Sequence, residues 1–165
     1  MKAMVGYDKN GALQFVNKWN DHKVTINGTT FKVNEDVIAM AFGLSMKGKK
    51  WKKVTKMVDE ASMSSLSAND EESVHYKGGF RRYKLLVPWD DVFFVLVKYL
   101  TLKGRFGVYY YYHFSLLNHF RNRDFICIPL ILLHFLEDMV SDVREKRSEG
   151  HNFTIINQGL IFQLY

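Results

Sequence analysis

The chain contains one cysteine and two prolines in 165 residues. With Cys127 alone, no intramolecular disulfide framework can form, and this fits a reducing compartment. Cys127 sits within an apolar run and reads as a small buried hydrophobe. So little proline, beside only 11 glycines, excludes collagen-like or disordered character. No apolar run approaches the roughly 20 residues of a membrane span, and the Phe125–Leu136 run holds Pro129 and His134. The N-terminal MKAMVGYDKNGALQFV lacks the apolar core and the small-residue cleavage site of a signal peptide. The expectation is a soluble intracellular chain, nuclear or cytoplasmic, with no membrane partner.

Catalytic signatures are also missing. There is no HExxH, no CxxC, no Walker A loop and no GxSxG elbow. Six histidines are present, but His113 and His119 do not stack one turn apart on a helix, so they and His134 read as packed, hydrogen-bonded side chains. Asp90 and Asp91 are adjacent, which points them apart on a helix. They suit the N-terminal end of its dipole better than a metal-binding acid cluster. These absences disfavour catalysis, and no cofactor and no metal are expected.

What is present is apolar and aromatic: 47% and 15% of the residues, enough for a sizeable core in one domain. The stretch FICIPLILLHFLEDMVSDVREK, Phe125 to Lys146, begins a helix at Pro129, where fixed φ and a missing N–H cost nothing. Its first half is apolar on nearly every side, as in a buried helix. Its second half narrows to Met139, Val140 and Val143. Upstream, Asn27-Gly28 in KVTINGTTFKV signals a hairpin, since both residues tolerate positive φ in a type I′ turn. Asn34 then reads as a helix N-cap, with Val37, Ile38, Ala41 and Phe42 as the buried stripe and Gly43 as the stop. Further helices are expected from Pro88 to Gly104 and from about Tyr110 to Arg121. The sum is a mainly α fold: a single globular helical domain of about five to six helices with a small N-terminal β-hairpin. Residues 1–22 read as an N-terminal arm or short helix, and 23–165 as the domain, with the hairpin at 23–33 and a charged loop region at 46–84. The closing FTIINQGLIFQLY is apolar, so it must dock on the domain or the chain is part of a longer protein.

Charge is concentrated. Net charge is +6, and Lys47, Lys49, Lys50, Lys52, Lys53 and Lys56 lie in one segment around Trp51. Arg81, Arg82 and Lys84 form a second basic segment. Lysines supply phosphate contacts and an exposed Trp stacks on a base, so these ten residues are the candidate nucleic-acid site. The acidic, serine-rich stretch after Lys56 is a loop that can fold back and blunt that role. The tyrosines of Tyr109–Tyr112 are a second aromatic platform, part of which must be core.

Five motifs carry a resemblance: VTINGTTFKVNEDVIAMAFGL, WDDVFFVLVKYLTLKGRF, YYYHFSLLNHFR, ILLHFL and the terminal QGLIFQLY. In order and spacing, from Val24 to Tyr165, the chain resembles an uncharacterised family of plant transposon protein domains found in retrotransposon-derived reading frames. The resemblance implies a mobile-element origin and a mostly helical domain, and it implies no catalytic residues. The expected function is therefore a non-enzymatic interaction domain, gag-like or associated with DNA or RNA through the lysine-rich segment. Protein–protein or self-assembly is the alternative, and a nuclease or transposase-type enzyme a remote one.

Overall fold

The computed structural model describes residues 9–52, 75–76, 79–81, 91–92, 94–95 and 108–152. The chain divides into two compact units, one made of Met1–Met46 with Ile128–Tyr165 and the other of Lys47–Cys127.

The first unit opens with helix α1, Lys9–Lys18. Ala12, Phe15, Val16 and Trp19 are buried, an i, i+3, i+4, i+7 stripe that turns one face of the helix inward. Trp19 also begins strand β1, Trp19–Asn20, which pairs antiparallel with β2, Lys23–Ile26. Strand β3, Thr29–Lys32, completes a three-stranded meander. Both of its turns are two residues long, and all four turn residues, Asp21, His22, Asn27 and Gly28, have positive φ. That backbone matches the right-handed twist of the flanking strands. Val24 is buried on one face of the meander, and Thr25 and Thr30 share a 2.7 Å hydroxyl hydrogen bond on the exposed one. Helix α2, Glu35–Phe42, starts at Asn34, whose Oδ1 accepts the Val37 N–H at 3.0 Å. It ends at Gly43, at φ 62°, where the Gly43 N–H reaches Met40 O and the Leu44 N–H reaches Ala39 O. This paired closure needs a left-handed residue, which glycine supplies without a Cβ penalty. The buried side of α2 is Ile38 and Ala39. Ala41 is exposed, which rotates the inward face away from the stripe read from sequence.

The long helix of this unit, Ile128–Ser148, packs against both α1 and α2. Its buried residues run from Pro129 through Ile131, Leu132, Leu133, Phe135 and Leu136 to Met139, Val140 and Val143. The wide apolar half and the narrower second half follow the sequence pattern. Arg144 on this helix closes the end of α1: its Nε donates to Val16 O at 3.1 Å, and its Nη2 donates to Asn17 O and to Trp19 O. Arg147 adds a 2.5 Å bond to Asn17 Oδ1. Cationic donors at a helix C-terminus satisfy orphan carbonyls and complement the dipole.

In the second unit, strands β4 (His75–Tyr76), β5 (Gly79–Arg81) and β6 (Val108–Tyr110) form an antiparallel sheet in that order. Helix α3, Tyr111–Arg121, follows β6 without a break. Among its described side chains, Tyr112, His113, Leu116 and Leu117 are buried, two i, i+4 pairs side by side. The ring of Tyr112 meets that of His113 edge-on at 4.3 Å. With α3 placed, Ile128–Ser148 is α4.

The fold differs from the expected mainly α domain of five to six helices. Among the described residues there are four bounded helices and two three-stranded antiparallel sheets, a mixed α/β architecture. The strands are two to four residues long, too short for a period of two to register. Tyr109–Tyr112, read as one platform, straddles the junction of β6 and α3. Of the Pro88 helix, residues 91–92 and 94–95 are described and helical. The acidic, serine-rich stretch after Lys56 and the apolar terminal stretch lie outside the described residues.

Candidate nucleic-acid interface

The second unit begins with the lysine segment itself. Its backbone runs beside residues 125–127: the Lys49 N–H donates to Phe125 O at 2.7 Å, and the Cys127 N–H donates to Lys49 O at 3.0 Å. These two bonds make a parallel bridge between Lys49 and Ile126. Gly48 explains how the strands come so close. It sits at φ 127°, and a Cβ there would lie 2.6 Å from the Ile126 carbonyl carbon. Any larger residue would strain its own backbone and collide with a neighbouring one.

Trp51 anchors the segment on its other side. It is 1% exposed, and its indole N–H donates to Ser115 Oγ of α3 at 3.3 Å. A buried indole with its N–H satisfied is a packing element, so Trp51 has no face open for a base. Lys47, Lys49, Lys50 and Lys52 are exposed. Lys49 is 66% exposed, and its Nζ is 2.8 Å from Asp124 Oδ1. Arg81 lies in β5, and Lys53, Lys56, Arg82 and Lys84 lie outside the described residues.

The polar residues Arg121–Asp124 close α3, and the structure joins this turn to the lysine segment. Helix α3 ends when the Arg123 N–H reaches Phe120 O at 3.0 Å and the Asp124 N–H reaches His119 O at 2.9 Å. Arg123 occupies the left-handed position at φ 55° and is exposed. The other Asp124 oxygen meets His119 Nδ1 at 2.8 Å. The Lys49 and His119 hydrogen bonds hold the Asp124 carboxyl below its ordinary pKa. Segments 47–52 and 121–125 together carry six cationic side chains and one carboxylate, and that carboxylate is already engaged. Phe125 follows directly, 83% exposed. The signal for this turn was present in the alternation of Arg121, Arg123 and Asp124. Its partner, 75 residues away in sequence, was not.

The first unit holds a second polar cluster. His22 Nδ1 lies 3.1 Å from Glu137 Oε1, and His134 Nδ1 lies 3.5 Å from Glu137 Oε2. Glu137 thus braces the left-handed His22 turn against α4. Among the described residues, no group of three or more histidine, cysteine, aspartate or glutamate side chains is arranged to hold a metal ion. No helix among them is long and apolar enough to cross a membrane. Cys127 is a buried free thiol. No family model, no curated protein and no solved structure matches the chain.

Proposed function

We propose that the chain is a non-enzymatic interaction domain of mobile-element origin that binds DNA or RNA along the edge formed by residues 47–52 and 121–125. The mobile-element origin rests on the ordered motifs from Val24 to Tyr165. The nucleic-acid reading rests on one observation above all: an arginine, Arg123, stands at a left-handed helix stop beside the exposed lysines. A non-glycine residue there costs about 1 kcal/mol, and strain of this kind collects where a side chain has work to do. Here the side chain adds a cation to a segment that already carries four lysines. An intracellular location, nuclear or cytoplasmic, accords with such a partner.

The test is binding to DNA and RNA over a salt series, comparing wild type with a Lys50→Gln, Lys52→Gln, Arg123→Gln variant. Loss of three phosphate contacts lowers affinity about tenfold or more near 0.1 M salt and reduces the slope of log affinity against log salt by about 2–3. Absence of wild-type binding at low salt, or an unchanged slope in the variant, overturns the reading. A second reading, protein–protein contact or self-assembly, draws on Met40, which is 80% exposed on α2.

A further inference from the structure

We propose that the basic edge selects single-stranded over double-stranded nucleic acid, because the Phe125 ring offers a platform on which an unpaired base stacks. This rests on the nucleic-acid reading above and adds the form of the partner to it.

An exposed apolar side chain is ordinary on a protein surface. The placement of Phe125 is what distinguishes it. Its carbonyl is tied to the Lys49 N–H. The next two residues, Ile126 and Cys127, are buried. The backbone under the ring is thus fixed from both sides, so little order is lost when a base lands on it. Phe125 follows Arg123 and Asp124, and its backbone is bonded to the segment of exposed lysines. Phosphate contacts from those cations act on any strand and do not separate single from double. A duplex keeps its bases stacked on one another, whereas a single strand presents faces. Base–aromatic stacking therefore adds affinity for the single strand alone. With Trp51 buried, Phe125 is the most exposed of the described phenylalanine rings near these lysines, at 83% against 37% for Phe120. A partner protein seated on Phe125 would value its apolar area and not its aromatic face, which makes the two occupants separable.

The experiment uses the full chain with oligo-dT and oligo-rU of about 20 nucleotides, long enough for one binding site, and a mixed-sequence duplex of similar length. Phe125→Ala and Phe125→Leu are each expected to lose about 5- to 100-fold in single-strand affinity and to keep duplex affinity and salt slope. Phe125→Trp is expected to retain the preference. Such exposed substitutions leave folding intact. An unchanged ratio of single- to double-strand affinity in Phe125→Ala overturns the proposal. Wild-type behaviour of Phe125→Leu overturns it too, as does a Phe125→Ala variant altered only in sedimentation, which would assign the ring to a protein contact. The Lys50→Gln, Lys52→Gln, Arg123→Gln variant separates the two layers. If it weakens both strand forms while the Phe125 variants keep the ratio, stacking alone fails. If it weakens neither, the basic edge fails and the stacking proposal with it.

Discussion

Helices α2 and α3 close with the same pair of hydrogen bonds and different residues at the turn. In α2 the left-handed residue is Gly43, and in α3 it is Arg123. The bonds run from the left-handed residue itself to Met40 O and to Phe120 O, and from the residue after it to Ala39 O and to His119 O. Backbone chemistry is therefore equal, and the side chain is the variable. Gly43 ends a helix in the unit built on α4, where stopping is all the chain needs. Arg123 ends a helix beside the lysine segment, where glycine would give the easier backbone but no charge. The same contrast appears at the meander turns. Asn27-Gly28 is relaxed chemistry for a type I′ turn, whereas Asp21-His22 relies on the His22–Glu137 pair to hold a less suited sequence. The lesson is that a positive φ on a non-glycine residue marks places where the side chain matters enough to offset the backbone.

The comparison breaks most sharply at Trp51. Trp51→Ala removes a buried indole and its bond to Ser115, and should lower stability by about 3–5 kcal/mol, read by denaturant unfolding. If Trp51 were instead a surface group, the loss would fall below about 0.5 kcal/mol and show as weaker nucleic-acid binding alone.

The helix stops sharpen it. Gly43→Ala meets no neighbouring atom, so its cost is backbone strain, about 1 kcal/mol. Arg123→Gly should move in the opposite direction, stabilising by about 1 kcal/mol, and should lower the salt slope of nucleic-acid binding by about one phosphate contact. Thermal unfolding of both variants checks the opposed signs. Destabilisation by Arg123→Gly would show that the arginine is held for packing and not for its charge.

The smallest effect concerns Asp124. Its folded pKa lies below the ordinary value, held there first by Lys49 and then by His119. A depressed carboxylate contributes stability above its unfolded pKa of about 3.9, and loses it as pH falls through the lower folded value. An NMR titration of the Lys49 amide should thus stay flat down to about pH 4 and shift below it. In Asp124→Asn that step should vanish. The first partner of Asp124, Lys49, is 66% exposed, so solvent screening keeps the effect on overall stability small.

Much of the first unit was legible from local chemistry. Asn34 caps α2 because its side chain reaches an orphan N–H three residues on. Gly43 stops it because only glycine adopts the left-handed turn without cost. Asn27-Gly28 turns the hairpin for a related reason. Pro129 and the residues after it were a buried helix by composition alone. Each depends on neighbours within a few residues, and sequence carries that information directly. The lysine segment was legible as charge but not as a site. Trp51 among six lysines looks like a stacking residue, yet whether an indole faces solvent or Ser115 is settled by a helix 64 residues away. The short strands, the closure of α1 by Arg144 across 128 residues and the exposure of Phe125 share that dependence. By itself, the sequence determined the two caps of α2, the turn at Asn27-Gly28, the buried helix around Pro129 and where the cations lie. Tertiary structure alone decided which aromatic is buried, which is exposed and which arginine joins the lysines. Contacts of long sequence separation are set by packing of the whole unit, and no local pattern encodes them.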